Sequence, residues 1–292
     1  MRTAAALLVL ACALGGCGGG KQPAASKTTT ASPPTTSAAE GLRVGLVGPL
    51  SVHVPGAVVE RGTLKQVAGE PLVVVSAVDP AARRVRAVAT ADPVGHYAVV
   101  GASEKSPPLP NLAGLVFRED EAARLGGIVA GLVVTEESAA SARAAWVGPH
   151  ERALAAAFVR GVHEIAPGTV VLRAWSADRP AACKEAALAA LARGATIVMA
   201  RGGLCASAAI AGAHQQNHPG LRLSDFLLPD VPATQVVRDA VDGVYHGGED
   251  LVFGAASGAV GIRVLDPRIS PTTAVRARAA AQELASGRPP SG

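Results

Sequence analysis

Residues 115–149 read LVFREDEAARLGGIVAGLVVTEESAASARAAWVGP, and this stretch decides the fold. It opens on a short apolar strand, residues 115–117. Glu119, Asp120 and Glu121 then place three carboxylates where the partial positive charge of a helix N-terminus favours them. Ala122, Leu125, Val129, Leu132 and Val133 recur at helical spacing. Gly126, Gly127, Ala130 and Gly131 leave one side of that helix small enough to press close against a sheet. A polar Ser/Glu turn ends it, and residues 144–147 are expected as the next strand, closed by Gly148-Pro149. Strand, helix, strand is the parallel βαβ unit, because parallel neighbours need a crossover between them.

The same alternation runs outward in both directions. On the N-terminal side, LRVGLVG at residues 42–48 is a continuous apolar strand, as in a parallel sheet covered on both faces. A helix is expected over residues 57–68, a strand over 71–76, and a helix opened by Asp79-Pro80, a capping residue followed by a first-turn proline. A third strand follows at 97–101, and then the Pro-rich, exposed SEKSPPLPN. On the C-terminal side the pattern predicts helices over 151–165, 181–193, 204–215, 233–245 and 272–286. Strands are expected over 169–175, 196–200, 221–228, 251–254 and 260–265. This is an α/β chain with right-handed crossovers and doubly wound sheets.

Composition agrees with a folded chain: 49% of the 292 residues are apolar and 17% charged, so the core is large enough for two lobes. The net charge of +4 comes from scattered arginines, with no Lys/Arg run interleaved with aromatics, so nucleic acid is not an expected partner. The N-terminus is more specific. Met1-Arg2 is a short positive region, and residues 4–14 are an apolar run of signal-peptide length, too short to span a bilayer. It ends in Leu14-Gly15-Gly16-Cys17, which resembles the lipobox of bacterial lipoproteins. That resemblance implies a signal peptide at residues 1–16 and a lipidated Cys17, anchoring an extracytoplasmic protein to the cell membrane. A secretory peptide with an incidental Cys is the competing reading. Residues 17–40, rich in Gly, Ala, Thr and Pro, read as a flexible tether. Export implies an oxidising compartment. Cys183 and Cys205 each follow a predicted strand and lie near the start of the next helix, so they are expected as a disulfide or as two buried thiols.

VFREDEAARLGGIVAGL, then a strand ending in Gly, then AAFVRGVHEIAPG, together with the ending ISPTTAVRARAAAQELASGRPP, resemble the basic membrane protein family. These are solute-binding lipoproteins of purine-nucleoside type that serve ABC importers. The resemblance runs from about residue 110 to 289 and is weak before that. It implies a fold like the type I periplasmic binding proteins: two Rossmann-like lobes with parallel sheets, joined by a hinge. Lobe one would hold residues 41–117 plus about 232–254, and looks one strand-helix unit short. Lobe two would hold about 118–230, and residues 255–292 are assigned to neither. The partners implied are a small polar, nucleoside-like solute and an ABC permease. No cofactor and no catalysis are implied.

In open α/β sheets, ligands bind at the carboxyl ends of strands, against helix N-termini. The candidate ligand residues are therefore Gly148 and His150, Asp178, Arg201, Gly202, Gly203 and Asp225. Gly202-Gly203 resembles part of the family's glycine-rich ligand loop, with Cys205 where its following Gly would stand, although a plain strand-to-helix turn explains the pair equally. Three departures weaken the nucleoside expectation. The family's aromatic and acidic residues after the first strand are replaced by PLSVHVPG, its paired Asp motif is reduced to Ser224-Asp225-Phe226, and Ala256 stands where its ligand-side Lys would be. A nucleoside needs a stacking surface and paired hydrogen bonds for its sugar, so a lipoprotein that keeps the fold and has lost its ligand is the alternative. His214 and His218 are spaced for one helical face but sit at a helix end before Pro219, which fits the C-terminal dipole better than a metal. Trp146 and Trp175 end strands and are expected as core, with a place facing the cleft as the alternative. No nucleophile elbow, phosphate loop or zinc-protease motif is present.

Overall fold

The chain forms two separate parallel sheets, and the deciding stretch spans both. The computed structural model describes residues 41–104, 107–137 and 142–289; the signal peptide, Cys17 and the tether lie outside these. The first sheet contains β1 (Leu42–Val47), β2 (Ala57–Arg61), β3 (Leu72–Ser76), β4 (His96–Val100), β5 (Leu112–Phe117) and β10 (Asp250–Phe253), in the order β10-β5-β4-β3-β1-β2. The second contains β6 (Arg143–Gly148), β7 (Val171–Trp175), β8 (Ala195–Ala200) and β9 (Gly220–Arg222), in the order β7-β6-β8-β9. The strands on either side of α3 (Glu119–Glu136) therefore do not pair. The helix carries the chain from one sheet to the other, so the expected βαβ unit is a crossing.

Central strands such as β3, all five residues of which are buried, are apolar throughout because both faces are covered. In the first sheet, α7 (Asp230–Val241) covers one face, with Ala233, Val236 and Val237 in the core of β1, β3 and β4. α2 (Ala82–Ala91) covers the other. In the second sheet, α3 and α4 (Arg152–Ile165) cover one face and α5 (Pro180–Ala192) and α6 (Gly203–Gln215) the other. The small residues of α3 are needed at its contact with α4: a Cβ on Gly127 would strike the Phe158 carbonyl, and one on Gly161 the Arg124 carbonyl. The C-terminal helix α8 (Pro271–Ala285) puts Ala277 and Ala280 into this same core. It is tied to α3 by Glu136, whose carboxylate accepts from the hydroxyls of Ser270 and Thr273 at 2.6 Å each.

Three expectations are corrected. Residues 57–68 are not one helix but β2 followed by the single turn α1 (Leu64–Val67). β-branched Val58 and Val59 pair in parallel with β1, and Thr63 starts the turn by donating to Gln66. No helix joins β1 to β2; the loop between them instead buries Leu50, Val52 and Val54 in the core beneath α7. Residues 221–228 are only partly strand, because after β9 the Asp225 carboxylate accepts from the Arg222 amide at 3.1 Å and turns residues Leu223–Phe226 into a 3-10 helix. Residues 260–265 form no strand, only an antiparallel bridge of Val260 with Leu227. The small-residue turn before it folds back, so that the amides of Ala259 and Val260 both donate to the Gly254 carbonyl.

Three segments pass between the sheets, and they are bonded to one another. The Arg118 amide donates to the Phe253 carbonyl at 2.8 Å, and the Leu228 amide to the Ala259 carbonyl at 2.9 Å. The Ala255 amide donates to the Glu121 carboxylate at 2.6 Å.

Candidate functional site

The carboxyl ends of β6, β7, β8 and β9 lie along one edge of the second sheet, and this topology brings Gly148, Asp178, Arg201, Gly202 and Gly203 close to one another, although of the predicted residues only Arg201, Gly202 and Gly203 line the cavity beside that edge. The Ser176 amide donates to Gly148 and the Arg201 amide to Val147, so the loops after β7 and β8 flank the end of β6. Gly202 adopts φ +94°, a left-handed conformation that a side chain resists. A Cβ there would stand 3.2 Å from an Asp178 carboxylate oxygen. Asp178 therefore overlies the start of α6, where the helix's partial positive charge suits it.

Beside this edge is a cavity of about 430 Å³, within the ~300–1,000 Å³ typical of small-molecule sites. Its walls come from both sheets. Val78, in the loop after β3, approaches from the first, and Glu119 stands at the start of the crossing helix. Arg201, Gly202, Gly203, Ser207, Arg222 and Ser224 supply the second wall. The Arg201 guanidinium donates to Glu119 at 2.7 Å and also to Glu151, which precedes α4. One arginine thus joins the loop after β8 to the starts of two helices. Two carboxylates share that one cation, and Glu151 keeps a buried oxygen with no protein partner.

Other expected residues are placed elsewhere. Asp225 caps its own turn and does not line the cavity; burial raises its carboxyl above the ordinary range, opposed by the Arg222 amide. His150 stacks edge-on against Trp175, which is exposed and not in the core as expected, with ring centroids 4.7 Å apart. Trp146 is fully buried against Phe158. His214 bonds Asp266 at 2.6 Å and His218 faces the Thr196 carbonyl at 3.2 Å, so the two do not converge. Among the described residues no three His, Cys, Asp or Glu side chains are grouped for a metal. Cys183 and Cys205 are joined by a disulfide.

Sequence reasoning missed Glu119 and Glu151 as site residues, because both also satisfy a helix start. It missed Val78, Ser207 and Arg222 because nothing local marks them, and it singled out Asp225 where its neighbour Ser224 lines the cavity. An arginine directly after a buried apolar strand was the one available signal, since such a charge needs partners.

No protein-family model matches the sequence, and no curated protein matches it. Solved structures do match. An ABC transporter system solute-binding protein from Aeropyrum pernix K1 shares 21% identity over 86% of this chain and 82% of that one, with a TM-score of 0.53. A second, from Conexibacter woesei DSM 14684, shares 19% identity over 85% of this chain and 97% of that one, with a TM-score of 0.57. A transcriptional activator of the comK gene from Bacillus halodurans shares 14% identity over 85% and 100%, with a TM-score of 0.59. At these identities the likeness is one of fold: an α/β fold with parallel sheets, as in periplasmic-binding-protein-like solute-binding proteins.

Proposed function

We propose that this protein is an extracytoplasmic solute-binding lipoprotein of an ABC importer, closing two lobes on a small polar solute. The observation that carries the reading is the cavity of about 430 Å³ lined by Val78, in the loop after β3 of one sheet, and by Arg201, Gly202 and Ser224, beyond the ends of β8 and β9 of the other. A solute there would touch both halves, which is how binding drives hinge closure in two-lobed proteins. Lobe one comprises residues 41–117 and about 232–254, lobe two about 118–230, and the three crossing segments form the hinge. Lipidation of Cys17 holds the protein to the cell membrane and residues 17–40 give it reach. A nucleoside-like solute follows only from the resemblance to the basic membrane protein family. The protein supplies binding and no catalysis.

A second reading has its own support. Leu50, Val52 and Val54 are buried where the family resemblance would put a stacking ring and an acid, and Arg201 already has two carboxylate partners. A lipoprotein that keeps the fold and serves as an interaction or sensory partner fits those facts. Thermal melting of the purified protein against nucleosides, sugars and amino acids separates the two, because a solute that binds only the folded state raises the melting temperature. A rise of several degrees with one class supports solute binding; no rise across the panel favours the second reading.

A further inference from the structure

The two loops that carry Asp178 and Gly202-Gly203 are joined by a covalent bond one turn below them. Cys183 lies in the first turn of α5 and Cys205 in the first turn of α6, with Cα atoms 5.4 Å apart. Cys205 sits between Gly203 and Ala206, both of which line the cavity. The same Gly202 position that would approach Asp178 at 3.2 Å lies 3.5 Å from the Cys205 Cβ. The Asp178 carboxylate and the Cys205 end of the disulfide thus flank the Gly202 turn from two sides.

Apart from the disulfide, the loops are held by the Ser176 and Arg201 amides on the end of β6 and by Arg201 on Glu119 and Glu151. Neither α5 nor α6 has a side-chain hydrogen bond capping its N-terminus. The core that the two helices share mixes small side chains, Ala187, Ala190, Ala206, Ala209 and Ala213, with Leu188, Leu191 and Ile210. β6 and β8, by contrast, are fixed by their own ladder from Ala144 to Val147. The bond is therefore least needed by the sheet and most needed by the loops at its rim.

We propose that the Cys183–Cys205 disulfide is a positioning element of the solute site, setting the distance between Asp178 and the Gly202-Gly203 turn. It rests on the solute-binding reading for its consequence in affinity, but not for its effect on loop geometry. The test uses the full chain carrying Cys183→Ala and Cys205→Ala, substitutions suited to a buried, alanine-rich surrounding. Hydrogen exchange is followed by mass spectrometry, and melting temperatures are read with guanosine, D-ribose and L-glutamate as probes.

The expected result is exchange about tenfold faster in residues 176–179 and 202–206, with β6 and β8 unchanged. A probe that stabilises the wild type should bind the variant about tenfold more weakly. If the variant does not fold, wild-type protein reduced with a phosphine under native conditions gives the same comparison. Unchanged exchange at both loops, or an increase spread evenly over the fold, overturns the proposal. Local loosening in a protein that ignores all three probes supports the positioning role and sinks the solute-binding reading alone.

Discussion

Arg201 donates to Glu119 at 2.7 Å, and so the loop after β8 is bonded to the first turn of the helix that crosses between the sheets. On the proposed solute-binding reading, a solute engaging Arg201 would compete with Glu119 at the start of the crossing helix, and so couple binding to closure. The pair is partly open, with side-chain exposures of 29% and 37%, so its contribution to stability is small. Glu119→Gln is expected to cost no more than about 1 kcal/mol, and less in high salt, where exposed pairs are screened. Denaturant unfolding at low and high salt checks this. A large, salt-independent loss would make the pair a structural strut.

The α3–α4 contact predicts a larger effect from a smaller change. Gly161→Ala adds one methyl group that would meet the Arg124 carbonyl, and backbone cannot move aside as a flexible side chain can. We expect a loss of about 1–3 kcal/mol, read as a lower urea midpoint with an unchanged slope. Wild-type stability in this variant would show that the helices lie farther apart.

Much of the fold was legible before the structure, for identifiable reasons. Apolar runs such as those of β3 and β8 and the helical spacing in α3 are local signals, and both survive folding because each element is covered on predictable faces. The start of β2 was not legible: Val58 and Val59 are compatible with either element, and only the partnership with β1 decides between them. Residues 50, 52 and 54 alternate like a strand but join neither sheet, because α7 from far along the chain supplies their cover. In the site, the glycine turn and Arg201 could be read from the strand end that precedes them. The approach of Asp178 to Gly202, and of Glu119 and Glu151 to Arg201, depends on neighbours more than twenty residues away, and no local pattern records it.

Asp266 gives a prediction with a pH sign. Its buried carboxylate accepts from the amides of Gly220 at 2.8 Å and Arg268 at 2.9 Å, and bonds His214. Burial alone would raise its pKa, but the two amides and His214 outweigh this and hold it below its ordinary 3.8. A depressed acid stabilises the fold above its unfolded value, and that contribution is lost as pH falls through the folded one. Asp266→Asn is therefore expected to cost about 2 kcal/mol at neutral pH, with the gap to wild type closing below about pH 4. A gap that does not change with pH would contradict the ionised state.

Glu121 ties the first crossing segment to the third through the Ala255 amide. Glu121→Ala should speed exchange of that amide about tenfold while leaving the β8 amides unchanged, as expected for an opening confined to the hinge. Exchange of Ala255 at the wild-type rate would place the restraint elsewhere.

Calorimetric titration of the wild type and of Arg201→Ala, using whichever compound most raises the melting temperature, tests the central claim most directly. The account predicts one site per chain in the wild type and an affinity at least about tenfold weaker in the variant, as for loss of a hydrogen bond to a charged group. Equal affinity in the two proteins, or no heat from any compound, would contradict a solute site between the sheets.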